Sequence, residues 1–219
     1  MRFLLPPRGS LRPNNQVDPL RFYYVPGVGR LFRARLDAGL ELLDDAKFSR
    51  VLELGYGSGV MMPTLAKLGG SLHGVDLEPP AAGLRAAMQA QGAHPQLSRA
   101  NIESLPYRSG AFSCVIAFSV LEHLRRPQLE RAISEAARVL EPGGIFLLGC
   151  PAVHKAMNFA FAAIGFSGIE QHHFSSIDDV RAASAPHFSE ERSATMPRLL
   201  HHLVPLAWSP YSALLLRKR

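Results

Sequence analysis

The chain has 219 residues, 47% of them hydrophobic, and a formal net charge of +6, which suits one α/β domain with a real core and a small extension. No apolar run approaches the roughly 20 residues of a membrane-crossing helix, and the basic residues are scattered, apart from Arg30, Arg33 and Arg35 and the terminal Arg217-Lys218-Arg219. That scatter argues against a nucleic-acid binder, which concentrates positive charge in a stripe with exposed aromatics.

Residues 1–27 carry Pro6-Pro7, Pro13, Pro19 and Pro26, which exclude a long regular element. The first two prolines and Arg8 also cut short the apolar run that a secretory signal needs, so cytoplasmic residence is the expectation. Leu31, Phe32, Leu36, Leu40 and Leu43 recur at helical spacing and predict an amphipathic helix over 28–45. Its expected place is against the sheet, although its arginines also allow peripheral contact with lipid phosphates. Arg50–Leu54 reads as the first strand and Val60–Leu68 as the first helix, with Pro63 tolerated in its first turn. Ser71–Asp76 is the second strand, followed by a helix opened by Pro79-Pro80 and running to Gly92. Gln96–Arg99 and Ala111–Phe118 are the third and fourth strands. Pro127–Leu140 is a helix with Leu129, Ile133, Ala136, Ala137 and Leu140 on one face, ended by Pro142-Gly143-Gly144. Ile145–Cys150 is the fifth strand. Strands that are apolar on both faces and alternate with helices imply a mostly parallel sheet covered on both sides. Beyond Pro151 the pattern predicts a helix over Ala156–Ile164, a turn at 165–168 and a strand over Ile169–Ser175. Helices over Ser176–Ala183 and Ser189–Leu203 follow, and then a last strand over Tyr211–Leu216.

Cys114 and Cys150 stand in strand-like runs without a CxxC spacing, which reads as free buried thiols in a reducing compartment. The nine histidines form no HExxH motif. Residues adjacent in sequence point in different directions, so His172-His173 and His201-His202 are poor chelating pairs, and no metal is expected.

The most informative stretch is Val51-Leu-Glu-Leu-Gly-Tyr-Gly-Ser-Gly59. A buried strand ends in an acid and runs through a Cβ-poor turn into a helix, so that backbone can approach a ligand closely. A dinucleotide site would need G-x-G-x-x-G, but Val60 takes its third-glycine slot, and no Gly-Lys-Ser/Thr follows for a Walker loop. The carboxylate of Glu53 suits an ammonium or sulfonium better than a phosphate.

Four stretches in order resemble the class I S-adenosylmethionine-dependent methyltransferases, in particular their small-molecule branch. They are Val51–Gly59, His73–Asp76, Asn101–Pro106 with Ala111–Glu122, and Ala137–Leu148, together about half the chain. They include Val120-Leu-Glu-His-Leu124 and Arg138-Val-Leu-Glu-Pro-Gly-Gly144. The resemblance implies a Rossmann-like α/β fold with a mostly parallel seven-stranded sheet, its last strand antiparallel, and S-adenosylmethionine as cofactor. It implies that backbone at Gly55, Tyr56, Gly57 and Gly59 passes the methionine moiety and ribose, with Glu53 orienting the amine. Asp76 would accept the ribose hydroxyls. Leu77 and Ile102 would flank adenine, with Asn101 and Glu103 as polar neighbours. Asn101 and Ser113 depart from the aspartates common at those places.

A sulfonium methyl is already activated, so the protein must mainly align the reactants and exclude water. His123 follows the fourth strand on the acceptor side and is the candidate general base, against a reading as a histidine that fixes the loop. Glu122 is open between capping and a site role. Tyr23 and Tyr24 could close over the cofactor. The regions 1–45 and 151–205 are rich in aromatics, which argues for a small apolar or amphipathic, lipid-like acceptor. The expected organisation is an N-terminal extension with a lid helix over 1–45 and a methyltransferase domain over 46–219, with 151–205 on the acceptor side. Two other readings are a non-catalytic scaffold on the same fold and an RNA methyltransferase. The second lacks an Asn-Pro-Pro-Tyr-like motif, since Phe118-Ser-Val-Leu121 stands there.

Overall fold

A computed structural model of the chain describes residues 1–15, 18–151, 173–196 and 210–219. Among these, β1 (Arg50–Leu54), β2 (Ser71–Asp76), β3 (Gln96–Arg99), β4 (Phe112–Phe118), β5 (Leu140–Pro151), β6 (Phe188–Met196) and β7 (Tyr211–Lys218) form one sheet. Its order is β3-β2-β1-β4-β5-β7-β6. The first five strands run parallel, and β7 is antiparallel to both β5 and β6. The seven-stranded, mostly parallel sheet is the expected one.

Alternation along each strand divides the core into two layers. Val51, Cys114, Ile116, Ile145, Leu147, Ala213 and Leu215 face α1 (Val28–Leu40), α2 (Met62–Leu65), α3 (Leu84–Gln89) and the N-terminal segment. Leu52, Leu54, Val115, Ala117, Phe146, Leu148, Leu214 and Leu216 face α4 (Arg126–Val139) and α5 (Ile177–Ser184). Neighbouring residues serve opposite faces because the side-chain period of a strand is two. Both cysteines are free and buried.

α1 lies across the antiparallel side of the sheet and touches β5, β6 and β7. The helix stops at Leu40, and one 3-10 turn (Glu41–Leu43) completes the expected span. The Val60–Leu68 helix is divided between α2 and a 3-10 turn over Ala66–Leu68. The Pro79-Pro80 segment does not open its helix directly, since α3 begins only at Leu84. α5 opens with a reciprocal cap: Asp179 N–H donates to Ser176 Oγ at 3.2 Å, and Ser176 N–H to Asp179 Oδ2 at 2.8 Å.

Three sequence expectations need correction. Pro142-Gly143-Gly144 does not lie beyond the helix as a separate stop, because α4 already ends at Val139 and β5 starts at Leu140. Leu140 pairs with Phe112, and the register shifts between Phe112 and Cys114, so the proline and glycines are taken up as an irregularity in the ladder. The helix expected over Ser189–Leu203 is strand β6 as far as Met196, and 197–203 lie outside the described residues. Its polar composition has weak local preference, and pairing with β7 from Phe188↔Lys218 to Met196↔Tyr211 decides its conformation. In the expected strand over Ile169–Ser175, His173, Phe174 and Ser175 are irregular, and 169–172 lie outside the described residues. So do the Ala156–Ile164 helix and the turn at 165–168. No helix among the described residues is long and apolar enough to cross a membrane.

Candidate active site

The carboxyl ends of β1, β2 and β4, the loop after β3 and the N-terminal segment surround a cavity of about 550 Å³. Open α/β sheets bind ligands at this edge because the chain reverses outside the strand ends. Of the expected site residues, Glu53, Gly55, Tyr56, Gly57, Asp76, Leu77, Asn101, Ile102, Glu103 and His123 all line it. Gly59 does not. It has φ +77°, and a Cβ there would lie 2.8 Å from Leu84 Cδ1, so it shapes the turn and its packing on α3 from behind.

The glycine loop is held to β2 by backbone. Gly55 N–H donates to Val75 O at 2.7 Å, and Gly59 N–H to Tyr56 O at 2.7 Å. Gly55 has φ +71°, and a Cβ on it would collide with the Val120 side chain. Asp76 joins the loop directly: its Oδ2 accepts from Gly57 N–H at 2.9 Å and its Oδ1 from Glu78 N–H at 3.0 Å. The carboxylate is thus oriented by amides at the strand end.

Glu53 is 4% exposed, and its Oε2 has no hydrogen-bond partner. Burial, and then the charge of Asp76, push its carboxyl well above the usual carboxylate range. Such a group favours a cationic ligand that would stabilise its ionised form. Leu77, 61% exposed, and Ile102, 7% exposed, supply apolar surface. Asn101 forms a turn, its Oδ1 accepting from Glu103 N–H at 2.9 Å. Glu103 is tied to α4 by Arg131 at 2.6 Å and by Gln128 at 3.1 Å. Burial raises its pKa, but the hydrogen bonds from Arg131 and Gln128 outweigh that and leave it lowered. Its carboxylate therefore braces the loop. Ser113 lies at the opposite end of β4, where its Oγ donates to Arg50 O at 3.1 Å and accepts from Arg50 N–H at 3.2 Å. Its departure from aspartate falls outside the cavity.

The cavity also holds residues the sequence did not single out for it. Asp18 caps the 3-10 turn Pro19–Tyr24 through Leu20 N–H at 2.9 Å and lies beside Gly57. Asn14 Nδ2 reaches Asp76 Oδ1 at 3.5 Å. Arg35 is the one lysine or arginine among the described lining residues, against the carboxylates of Asp18, Glu53, Asp76, Glu78 and Glu103. Its guanidinium donates to Tyr23 Oη at 2.8 Å and Ser119 Oγ at 3.0 Å, and sits 4.7 Å from the Phe32 ring centroid. The signal was positional. Phe32, Leu36, Gly39 and Leu40 form the buried stripe of α1, and Arg35 falls within it. Tyr23 lines the cavity, whereas Tyr24 donates to Pro6 O at 3.0 Å, outside it.

After β4, Leu121–His123 makes a 3-10 turn. His123 enters the cavity from it, while Glu122 points into the protein and is fully buried. Phe174 N–H and Ser175 N–H donate to Glu122 O at 2.7 and 3.2 Å, and Ser175 Oγ donates to Leu124 O at 2.6 Å. These bonds bring His173 to His123, ring centroids 5.0 Å apart.

Residues 52–148 match a family model described as a methyltransferase domain. That match covers a little under half of the chain. The matched segment runs from β1 through most of β5 and contains the glycine loop, Asp76 and His123. A ubiquinone biosynthesis O-methyltransferase of a Bradyrhizobium species is 26% identical over 162 residues, covering 73% of this chain and 60% of that protein. Its counterpart from Dinoroseobacter shibae is 28% identical over 163 residues, covering 73% and 62%. The chain thus matches about three fifths of the length of these curated relatives. The N-methyltransferase NodS of Bradyrhizobium japonicum, solved with S-adenosylhomocysteine, superposes with a TM-score of 0.65 at 19% identity, covering 94% of this chain and 95% of that one. The PH0226 protein of Pyrococcus horikoshii gives 0.72 at 15% identity, covering 93% and 97%. At these identities the two structures attest the fold alone.

Proposed function

We propose that this chain transfers the methyl group of S-adenosylmethionine to a small hydroxyl-bearing acceptor with an apolar or amphipathic body. The observation that carries this reading is the charge layout of the cavity. The cofactor brings an ammonium, a sulfonium, a carboxylate, two ribose hydroxyls and a flat base. Glu53 offers a buried carboxylate to the ammonium, Asp76 a fixed one to the ribose hydroxyls, and Arg35 a cation to the carboxylate. Leu77 and Ile102 cover the two faces of adenine, and backbone at Gly55, Tyr56 and Gly57 lies along the methionine and ribose. A wall of five carboxylates suits a phosphodiester poorly, which disfavours the RNA reading.

The methyl carbon leaves sulfur with the bonding pair remaining on sulfur, and a new bond forms to the acceptor oxygen. The protein's work is to hold that line and keep water out. In the metal-free protein, His123 takes the hydroxyl proton, since it opens into the cavity at the end of β4. An oxygen acceptor is supported by the named activity of the relatives. The N-terminal 45 residues serve as the cover: Asp18, Pro19, Tyr23, Arg35 and Leu36 close one side of the cavity. On the acceptor side, His173 stands beside His123. Cytoplasmic residence belongs to the same reading and is supported by two free buried thiols.

Calorimetry with S-adenosylmethionine and S-adenosylhomocysteine tests the proposal. Binding of both at micromolar concentration is the expected outcome. Absence of heat with either at millimolar concentration overturns it.

A further inference from the structure

We infer that Glu122, His123 and His173 form a binding site for a divalent transition-metal ion at the acceptor edge of the cavity. One carboxylate oxygen and two imidazole nitrogens lie within 4.8 Å of one another. Around a single ion with bonds of about 2.0–2.2 Å, ligand atoms stand roughly 3–4 Å apart, so small side-chain rotations close the set. Adjacent histidines cannot chelate together, but these two come from segments fifty positions apart and are joined by backbone. The hydrogen bonds from Phe174 and Ser175 to the Glu122 carbonyl fix the second segment against the first.

A second observation is independent of that proximity. Glu122 is fully buried, and neither of its carboxylate oxygens meets a nitrogen or oxygen donor; the weakly donating Cys150 thiol is its neighbour. A buried carboxylate without a strong donor is costly, and a cation held between it and two imidazoles reduces that cost. His123 is exposed toward the cavity and His173 half-buried, so the ion would keep positions open on the acceptor side. Two imidazoles and one carboxylate suit zinc, cobalt or manganese, whereas magnesium favours an all-oxygen shell.

The site's existence does not depend on methyl transfer; its use does, and that part rests on the function proposed above. The ion would bind the acceptor's hydroxyl oxygen and lower its pKa, and the proton would leave to solvent water. The oxygen pair would then form the bond to the methyl carbon as the sulfur–carbon bond breaks onto sulfur, giving S-adenosylhomocysteine. His123 would act through the ion in this state and not as a free base.

The test uses the full chain, stripped with chelator and titrated separately with Zn²⁺, Co²⁺ and Mg²⁺. Metal content after gel filtration and the visible spectrum of the Co²⁺ form are the readouts. About one equivalent of Zn²⁺ or Co²⁺ and little Mg²⁺ is expected, with affinity lowered at least about tenfold in both His123→Ala and His173→Ala and unchanged in the surface control His94→Ala. Glu122→Gln is expected to fall in the same direction, with thermal unfolding checking its fold. Less than about a fifth of an equivalent of Zn²⁺, or an affinity that neither histidine variant lowers, overturns the site. S-adenosylhomocysteine binding is measured on the same samples. If it is absent while Co²⁺ binds, the methyl-transfer reading fails and the metal site stands; the reverse result removes the site alone.

Discussion

The two ends of the cavity are built in opposite ways. At one end Glu53, Asp76 and the glycine loop belong to a single strand-loop-helix-strand unit from β1 to β2, and backbone bonds within that unit join the loop to the end of β2. At the other end Tyr23, Arg35, Ser119 and His123 come from separate segments and meet only after the sheet has formed. The first end is a local invention that can be carried from protein to protein on the same strand-turn-helix unit. The second depends on what the flanking regions bring over the sheet edge, and so it is where proteins of one fold come to differ.

Removing the carboxylate that joins the two parts of the local end should have the largest effect. Asp76→Ala should weaken S-adenosylhomocysteine by about 2–4 kcal/mol, the worth of a pair of charge-assisted hydrogen bonds, while the protein stays folded by circular dichroism. An unchanged dissociation constant would break the assignment of the local end.

Glu53→Gln should split binding from stability. Cofactor affinity should drop about tenfold, or about 1.4 kcal/mol. The ligand-free variant should gain about 2–4 °C in Tm near pH 8, corresponding to about 1 kcal/mol for a chain of this size. The sign follows from the raised carboxyl pKa. Below the ordinary value of 4.5 the group is protonated in folded and unfolded chains alike and costs nothing. As pH rises from there through the folded-state pKa, the unfolded chain ionises first and the wild type loses stability. The Tm advantage of the variant should therefore shrink as pH falls toward that ordinary value. Differential scanning across that range decides, and a constant advantage would count against a buried, unpaired Glu53.

The smallest effect belongs to the composite end. Tyr23→Phe removes one hydroxyl that fixes Arg35 and should weaken S-adenosylhomocysteine about fivefold, near the 1 kcal/mol of a single hydrogen bond. The decarboxylated analogue should bind the two proteins equally. Equal loss for both ligands would place Arg35 elsewhere than at the cofactor's carboxylate.

The same contrast explains what could be read from sequence. β1, the glycine loop and Asp76 were legible because spacing and strand ends are local properties, and the carboxylates they carry both line the cavity. Arg35 was grouped with Arg30 and Arg33 as basic residues that allow contact with lipid phosphates. Its inward turn depends on Tyr23, in the turn before α1, and on Ser119, which no window around α1 contains. Asp18 lay in a proline-rich stretch with no periodicity to place it, and its position beside Gly57 is a tertiary fact. β6 was read as helix because Glu190-Glu191-Arg192 gives no clear period, and its partner β7 lies beyond a stretch of unrelated sequence. His123 and His173 could not be joined by a motif search, since their proximity is set by the backbone bonds to Glu122.

The place of β7 between β5 and β6 constrains assembly. β6 precedes β7 in the chain, yet among the described residues β7 is its sole partner in the sheet. It joins the parallel core only through β7, whether β7 docks along β5 first or the two arrive as an antiparallel pair. During synthesis the parallel core from β3 to β5 can collapse around its local connections while β6 waits unpaired. That interval is governed by the rate of a long-range closure, the slow kind of step in folding. In this period an edge that ends up at the margin of the sheet is open to other chains, and the charged Glu190, Glu191 and Arg192 along it are the sort of residues that discourage such pairing.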